Sequence, residues 1–395
     1  MMSIPHLFRC PISLDLFTDP VTLCTGQTYD RPSIERWLAD GNLTCPVTMQ
    51  RLRDPSLVPN HTLRHLIDQW LLTGPPDSED RGSRPPQDPA SPVHGGGLSL
   101  AALRLDLQSP GAGAARRLET LRWIRTLSLE SDVGQSCLIQ MGFFSLLLRL
   151  LFQFRPSCEP EVVEVALDCV LSLSPSAHSA SLDMLKEASC LASLVRLLEH
   201  GKVKARTSLC YLLEAITASP QSEELSLVIG QTRRVLQGLV TLLNERPCGG
   251  AADAAARAIS GLCSLEPNRD GAVRDGAVDA LVAYLSDADP RNASRALATL
   301  ELLAGLESGG RALLRNPGAV PALVKMVFRV SSDHRGSEHA VGALLSMCRS
   351  SGLARVEAVN AGALTQLLLL LQSQCSSKAK EKTRALLKLL SSMWV

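Results

Sequence analysis

A chain of 395 residues has room for two or three ordinary domains, or for one small domain joined to a long array. The formal net charge of +1 gives no reason to expect nucleic acid as principal ligand, and with aromatics at 4% against 45% hydrophobic residues the core must be built from Leu, Ala and Val, which favours helices. The first ten residues lack a basic flank before an apolar run, and the most apolar stretches, 143–152 and 364–371, are broken by Arg149, Thr365 and Gln366. Neither a secretory signal nor an integral membrane segment is expected, and a soluble cytoplasmic protein, with nuclear or membrane-peripheral pools, is the default. Twelve cysteines in such a chain read as reduced thiols, with Cys169, Cys210, Cys263 and Cys348 as apolar fillers on helices.

Residues 4–74 open the chain. Val21–Leu23 and Gln27–Tyr29 are short β-prone runs joined at Thr25-Gly26, a hairpin signal. A helix follows, with Asp30 as cap, Pro32 in its first turn, Ile34, Trp37 and Leu38 on one face, and Gly41 at its end. A second helix has Asn60 as cap and an apolar stripe of Leu63, Leu66, Ile67, Trp70 and Leu71, with Gly74-Pro75 as its stop. The remaining loops, Phe8–Phe17 and Leu43–Leu52, each contain Cys-Pro: Cys10-Pro11-Ile12-Ser13 and Cys45-Pro46-Val47-Thr48. One thiolate per loop cannot complete a four-ligand zinc site, no Cys-x-x-Cys spacing occurs elsewhere, and His6, His61 and His65 are not spaced as ligands. A metal-free domain is expected, without cofactor, in which hydrogen bonds and packing replace the metal.

The strings CPISLDLF, DPVTL, TGQTYDR, SIERWL, TCPVT and PNHTLRHLI together resemble the U-box, a RING-like domain without zinc, over residues 1–74. The resemblance implies a ubiquitin ligase that docks a ubiquitin-charged conjugating enzyme (E2) and acts through proximity and orientation, with no covalent nucleophile of its own. It places E2 contacts at Ile12, Leu14, Trp37 and Pro46, and structural roles at Cys10, Asp30 and Cys45. Trp37 fits either a core position beside Ile34 or a contact position. In many relatives a hydrogen-bonding residue after the second loop, the linchpin, closes E2 and ubiquitin into the reactive pair. Here that position is Met49, whose thioether offers no donor, with Gln50 or Arg51 as substitutes if the loop shifts. U-box domains frequently pair with a second copy, so a homodimer through this domain is a further expectation.

Residues 75–113 are rich in Pro, Gly, Ser and charge and read as a flexible linker, with Ser91-Pro92 as a phosphorylation candidate and LSLAALRLDL as a short helix that docks on the downstream array. From residue 114 an apolar helix recurs, starting at Gly142, Ser189, Arg234, Gly276, Gly318 and Gly362, and a second helix lies between each pair of copies. The period in the forties and the Gly-Ala-Val/Leu opening resemble armadillo repeats. The fold class is therefore mostly α: a small α+β U-box followed by a solenoid of about six repeats, with 376–395 as a capping helix whose outer face carries Lys378, Lys380, Glu381, Lys382 and Arg384. In such solenoids the third helices line a concave groove. Taking the glycine-led helix as that third helix places Arg149, Arg196 and Lys325 in a groove for a protein substrate with an acidic or phosphorylated segment. The resemblance to plant proteins of this organisation implies stress and immune signalling. An interaction scaffold with a degenerate U-box, prompted by Met49, is the alternative.

Overall fold

Gly26 sits at φ +80°, where a side chain would be strained, and its N–H donates to Leu23 O at 2.9 Å. This corner pairs β1 (Pro20–Thr22) antiparallel with β2 (Thr28–Asp30), and β3 (Val58–Pro59) joins the other edge of β1. The structure is a computed structural model that describes residues 6–73, 100–109, 113–130, 132–153, 159–175, 178–245, 250–289, 292–329 and 335–392.

α1 (Arg31–Ala39) has Pro32 in its first turn and buries Ile34 completely; Gly41, at φ +84°, ends it by donating to Leu38 O. Asp30 occupies the cap position, but its carboxylate makes no capping bond and turns towards the loop before β1. Asn60 does cap α2 (His61–Thr73), its Oδ1 accepting from Leu63 N at 3.0 Å, and Leu63, Leu66 and Ile67 are buried. The side chains of Trp70 and Leu71 lie outside the described residues.

The chain forms two compact units, residues 1–150 and 151–395. In the first, α2 packs against α3 (Leu100–Gln108) and α5 (Asp132–Gln140), and the 3-10 turn His6–Phe8 also meets α5. α3 is the short docking helix expected within 75–113. It buries Leu100, Leu103 and Leu107 and packs on α4 (Ala114–Glu130), to which Asp106 is tied by Arg116 at 3.0 Å. Residues 75–99, including Ser91-Pro92, lie outside the described residues. α6 (Phe143–Phe152) starts after Gly142, at φ +75°.

The second unit begins with α7 (Pro160–Ser172), then α8 (Ser179–Leu182) with a following 3-10 turn, α9 (Ala188–His200) and α10 (Val203–Ala218). Next come α11 (Glu223–Gln231), α12 (Arg233–Glu245), α13 (Ala251–Cys263), α14 (Glu266–Arg274), α15 (Ala277–Asp287) and α16 (Ala293–Ala304). The chain ends with α17 (Glu307–Arg315), α18 (Ala319–Arg329), α19 (Arg335–Ser350), α20 (Gly352–Asn360), α21 (Ala363–Gln372) and α22 (Ser377–Ser391). From α11 onward each repeat is a short helix, a middle helix at the expected glycine-led position, and a long helix. Gly276 and Gly362 start their helices from φ +88° and +85°, whereas Gly318 is not left-handed and its N–H is held by Asn316 Oδ1 at 2.9 Å. α22 is the long helix of the last repeat rather than an element added after it; Met393 lies outside the described residues.

Like helices stack in ladders: α9, α12, α15, α18 and α21 in one, and α7, α10, α13, α16, α19 and α22 in another. The interior is almost wholly aliphatic, with Leu209, Leu213, Ile259, Leu297 and Leu344 fully buried. Cys210, Cys263 and Cys348 are buried there as expected, which pushes their thiols up to about 12, 12 and 11. Two ion pairs on the long-helix ladder skip a rung: Arg295 of α16 binds Glu214 of α10, past α13, and Lys382 of α22 binds Glu301 of α16 at 2.7 Å, past α19. Stacked helices lie about 8–10 Å apart, so side chains two rungs apart meet where the ladder bends towards the face that carries them. That face is the concave one. Among the described residues, polar contacts on the middle-helix ladder join neighbouring rungs, as in Arg234 Nε to Glu199 Oε1 at 2.9 Å and Lys325 Nζ to Ser286 O at 2.6 Å. No single described helix is long and apolar enough to cross a membrane.

Candidate functional site

The two Cys-Pro loops close in the same way, with every bond displaced by 35 positions. Phe17 N donates to Phe8 O and Leu52 N to Leu43 O; Cys10 N donates to Asp15 O and Cys45 N to Gln50 O; Leu14 N donates to Cys10 O and Met49 N to Cys45 O, all at 2.8–2.9 Å. The fifth residue of each motif is forced into the left-handed region, Leu14 at φ 61° and Met49 at φ 57°. Both side chains stand in solvent, 66% and 69% exposed. A leucine and a methionine are thus held at a costly backbone angle while remaining largely in solvent.

Two consecutive residues at the end of β2 hold both loops. The Asp30 backbone N–H donates to Cys10 Sγ at 3.2 Å, and the Tyr29 hydroxyl meets Cys45 Sγ at 3.0 Å while accepting from Val47 N at 3.2 Å. Because Val47 supplies a donor to the phenol oxygen, the phenol hydrogen is left to point at the sulfur. Burial of Cys45 opposes its ionisation, but hydrogen bonds from Thr25, Thr48 and Tyr29 and from the Thr48 backbone outweigh it and bring the thiol down to about 6. Tyr29 is pushed up, first by burial and then by its bond to Cys45. The Asp30 carboxylate collects Thr18 N at 2.8 Å, Thr18 Oγ1 at 2.8 Å and Asp19 N at 2.7 Å, fixing the chain that leaves the first loop. Asp19 in turn receives Arg31 Nε at 2.6 Å and Arg64 Nη1 at 3.3 Å, tying the hairpin to both helices. Cys10 and Cys45 are fully buried. Among the described residues no three metal-ligating side chains cluster.

Of the two roles its sequence position left open, the structure gives Trp37 a packing one. It is half-buried on α1, and its indole N–H donates to Thr44 O at 2.9 Å, at the residue that precedes Cys45-Pro46, so the ring supports the second loop. Ile12 and Pro46 are half-buried on the loops beside Leu14 and Met49. Sequence reasoning missed Leu43 and Val47, which are 54% and 52% exposed on the second loop, and the clamp formed by Tyr29. The signal was present: CPISL and CPVTM align residue for residue, which pairs Leu14 with Met49.

The family model for the U-box domain matches residues 4–74, and that for the plant U-box protein ARM repeat region matches 104–395. The chain belongs to the plant U-box armadillo-repeat proteins. Among its relatives, U-box domain-containing protein 26 of Arabidopsis thaliana is 36% identical over 397 residues, covering 100% of this chain and 93% of the relative. U-box domain-containing protein 25 of the same plant is 36% identical, over 100% of this chain and 92% of its own length. The Arabidopsis E3 ubiquitin-protein ligase PUB23 is 29% identical, over 100% and 94%.

In the armadillo repeats of this U-box protein, the structure corrects the expected groove. Arg196 and Lys325 are exposed on α9 and α18, in the middle-helix ladder, and Lys325 Nζ is bonded to Ser286 O at 2.6 Å; Arg149 is exposed on α6, likewise a glycine-led middle helix. The glycine-led helix is the second of its repeat, and the concave face belongs to the long helices after it. One further reading of the sequence changes on that face. Lys382 is not part of a free capping surface but binds Glu301, and His339 meets the same carboxylate at 2.7 Å through Nδ1. Burial works against ionisation of Glu301, yet His339 and Lys382 hold its carboxyl below the usual range.

Proposed function

We propose that this chain is a zinc-free E3 ubiquitin ligase, in which the U-box receives a ubiquitin-charged E2 and the armadillo repeats hold the protein to be modified. The observation that carries the reading is the pair of loops suspended from Tyr29 and Asp30, which hold Leu14 and Met49 in solvent at left-handed backbone angles. The E2-binding side chains are Ile12, Leu14, Trp37 and Pro46, to which the geometry adds Val47. No group in the site needs to bond to ubiquitin: a docked E2 is oriented, and the rate gain comes from restricting the thioester to geometries open to a lysine. Relatives that bear the name E3 ubiquitin-protein ligase support the activity. A role in plant stress or immune signalling, a cytoplasmic location and pairing through the U-box rest on the family resemblance.

Discharge of a ubiquitin-loaded E2 to free lysine, measured with the full chain, tests this reading. Wild-type protein accelerates discharge, Ile12→Ala lowers the rate by at least about fivefold, as expected for truncating an apolar contact at an interface centre, and the variant keeps its melting temperature. Equal rates with and without the protein across a panel of E2 enzymes would leave an interaction scaffold as the better reading.

A further inference from the structure

Glu214 of α10, Arg257 of α13 and Arg295 of α16 meet in a cleft of ≈ 340 Å³ on the concave ladder, lined also by Ala218, Gly261 and Leu302. One carboxylate serves two guanidinium groups. Arg295 reaches it past α13, and Arg257 lies over the Tyr211 ring at 5.1 Å, with its Nε 3.5 Å from Glu214 Oε2. That Nε is buried and has no hydrogen-bond partner among the described residues, so the cleft contains a donor that its built-in carboxylate does not satisfy. The hydroxyls around it donate elsewhere: Thr217 to Glu214 O, Ser260 to Ala256 O, Ser264 to Gly261 O and Thr299 to Ser260 Oγ, at 2.6–3.0 Å. The cationic donors facing the cleft are therefore the two arginines, and they carry one positive charge more than Glu214 cancels.

We infer that Glu214 is an internal stand-in for an acidic side chain of a bound polypeptide, which displaces it and takes the fork of Arg257 and Arg295. The inference rests on the reading that the armadillo repeats hold a partner. The other rung-skipping pair marks the contrast. There Glu301 fills the space over Gly342, where an added Cβ would lie 1.8 Å from its Oε1, and both His339 and Lys382 satisfy it, so that position is closed. At Glu214 the cleft stays open, and its far end is apolar. Leu302 is 41% exposed and follows Arg295 by seven residues on α16, two turns or about 10 Å. An extended chain covers that distance in about three residues. The ligand class is an extended segment with a carboxylate and, about three residues away, an aliphatic side chain that sits against Leu302.

Fluorescence anisotropy with the full-length protein tests this, using a labelled peptide Gly-Ser-Glu-Ser-Ser-Leu-Ser-Gly and its counterpart with Gln in place of Glu. Removing the competitor in Glu214→Gln should tighten binding of the Glu peptide by about fivefold, in line with one or two partly exposed ion pairs, and leave the Gln peptide unchanged. Glu214→Asp keeps the charge but is too short to bridge to Arg295, and should give the same gain. Arg295→Ala in the Glu214→Gln background should abolish it. Equal binding of the two peptides by Glu214→Gln, or no binding by any variant, overturns the proposal. The assay involves no ubiquitin, so a chain that shows the gain yet discharges no E2 supports this inference and counts against the ligase reading alone.

Discussion

In the U-box two adjacent residues, Tyr29 and Asp30, hold both functional loops through a few buried polar bonds, whereas in residues 151–395 the concave surface is fixed by long helices that share an aliphatic interior. The first arrangement places a small surface accurately but fails when one polar group is lost, because each buried partner is left unpaired. The second spreads its stability over many Leu and Ala contacts, so that loss of one is local. A metal would have concentrated the U-box still further; hydrogen bonds to Cys10 and Cys45 keep the loop geometry with sulfur as an acceptor.

Asp30→Ala should break this comparison open most widely. It leaves Thr18 N, Thr18 Oγ1 and Asp19 N without their acceptor, and about 3–5 kcal/mol of local stability should be lost. Hydrogen exchange read by region should show protection gone from 8–52 while α10, α13 and α16 keep theirs. Loss of protection throughout the chain would mean that the two regions do not behave separately. The converse test is Gly342→Ala, whose new Cβ pushes Glu301 off His339 and Lys382. A cost of about 1–2 kcal/mol is expected, confined to α16, α19 and α22, with E2 discharge unaffected.

Two changes at the left-handed loop positions sharpen the view that those residues serve contact rather than stability. Met49→Arg keeps a Cβ at the same backbone angle and adds donors, so the fold should be unchanged while discharge rises by about tenfold, the equivalent of one charge-assisted bond of about 1.4 kcal/mol in the closed complex. Leu14→Gly has the smallest expected effect on stability, a gain of at most about 1 kcal/mol from relief at φ 61°, accompanied by slower discharge. If thermal stability and discharge fell together, Leu14 would be a packing residue.

Much of the U-box was legible because its punctuation is local. Gly26 and Gly41 take the left-handed angles that their turns need, and Asn60 caps α2 as its position predicts. Asp30 shows the limit: the residue type fits a cap, but three donors from the preceding loop outcompete the helix for its carboxylate. In the repeats the period was readable from the most apolar helix, yet apolarity marks a helix packed on several sides and not one that faces a groove. The groove was therefore assigned to the ladder of Arg196 and Lys325. The residues that do line it, Glu214, Arg257 and Arg295, come from less uniformly apolar helices and are joined across 81 positions in the case of Glu214 and Arg295. No local pattern carries a contact of that separation.

The measurement that bears most directly on the central claim is autoubiquitination by the full-length protein with a small E2 panel in excess metal chelator, alongside Asp30→Ala. The account expects ladders that chelator leaves unchanged and that vanish in Asp30→Ala. Ladders lost on chelation, or retained when the Asp30 carboxylate is removed, would contradict a U-box held together by these hydrogen bonds.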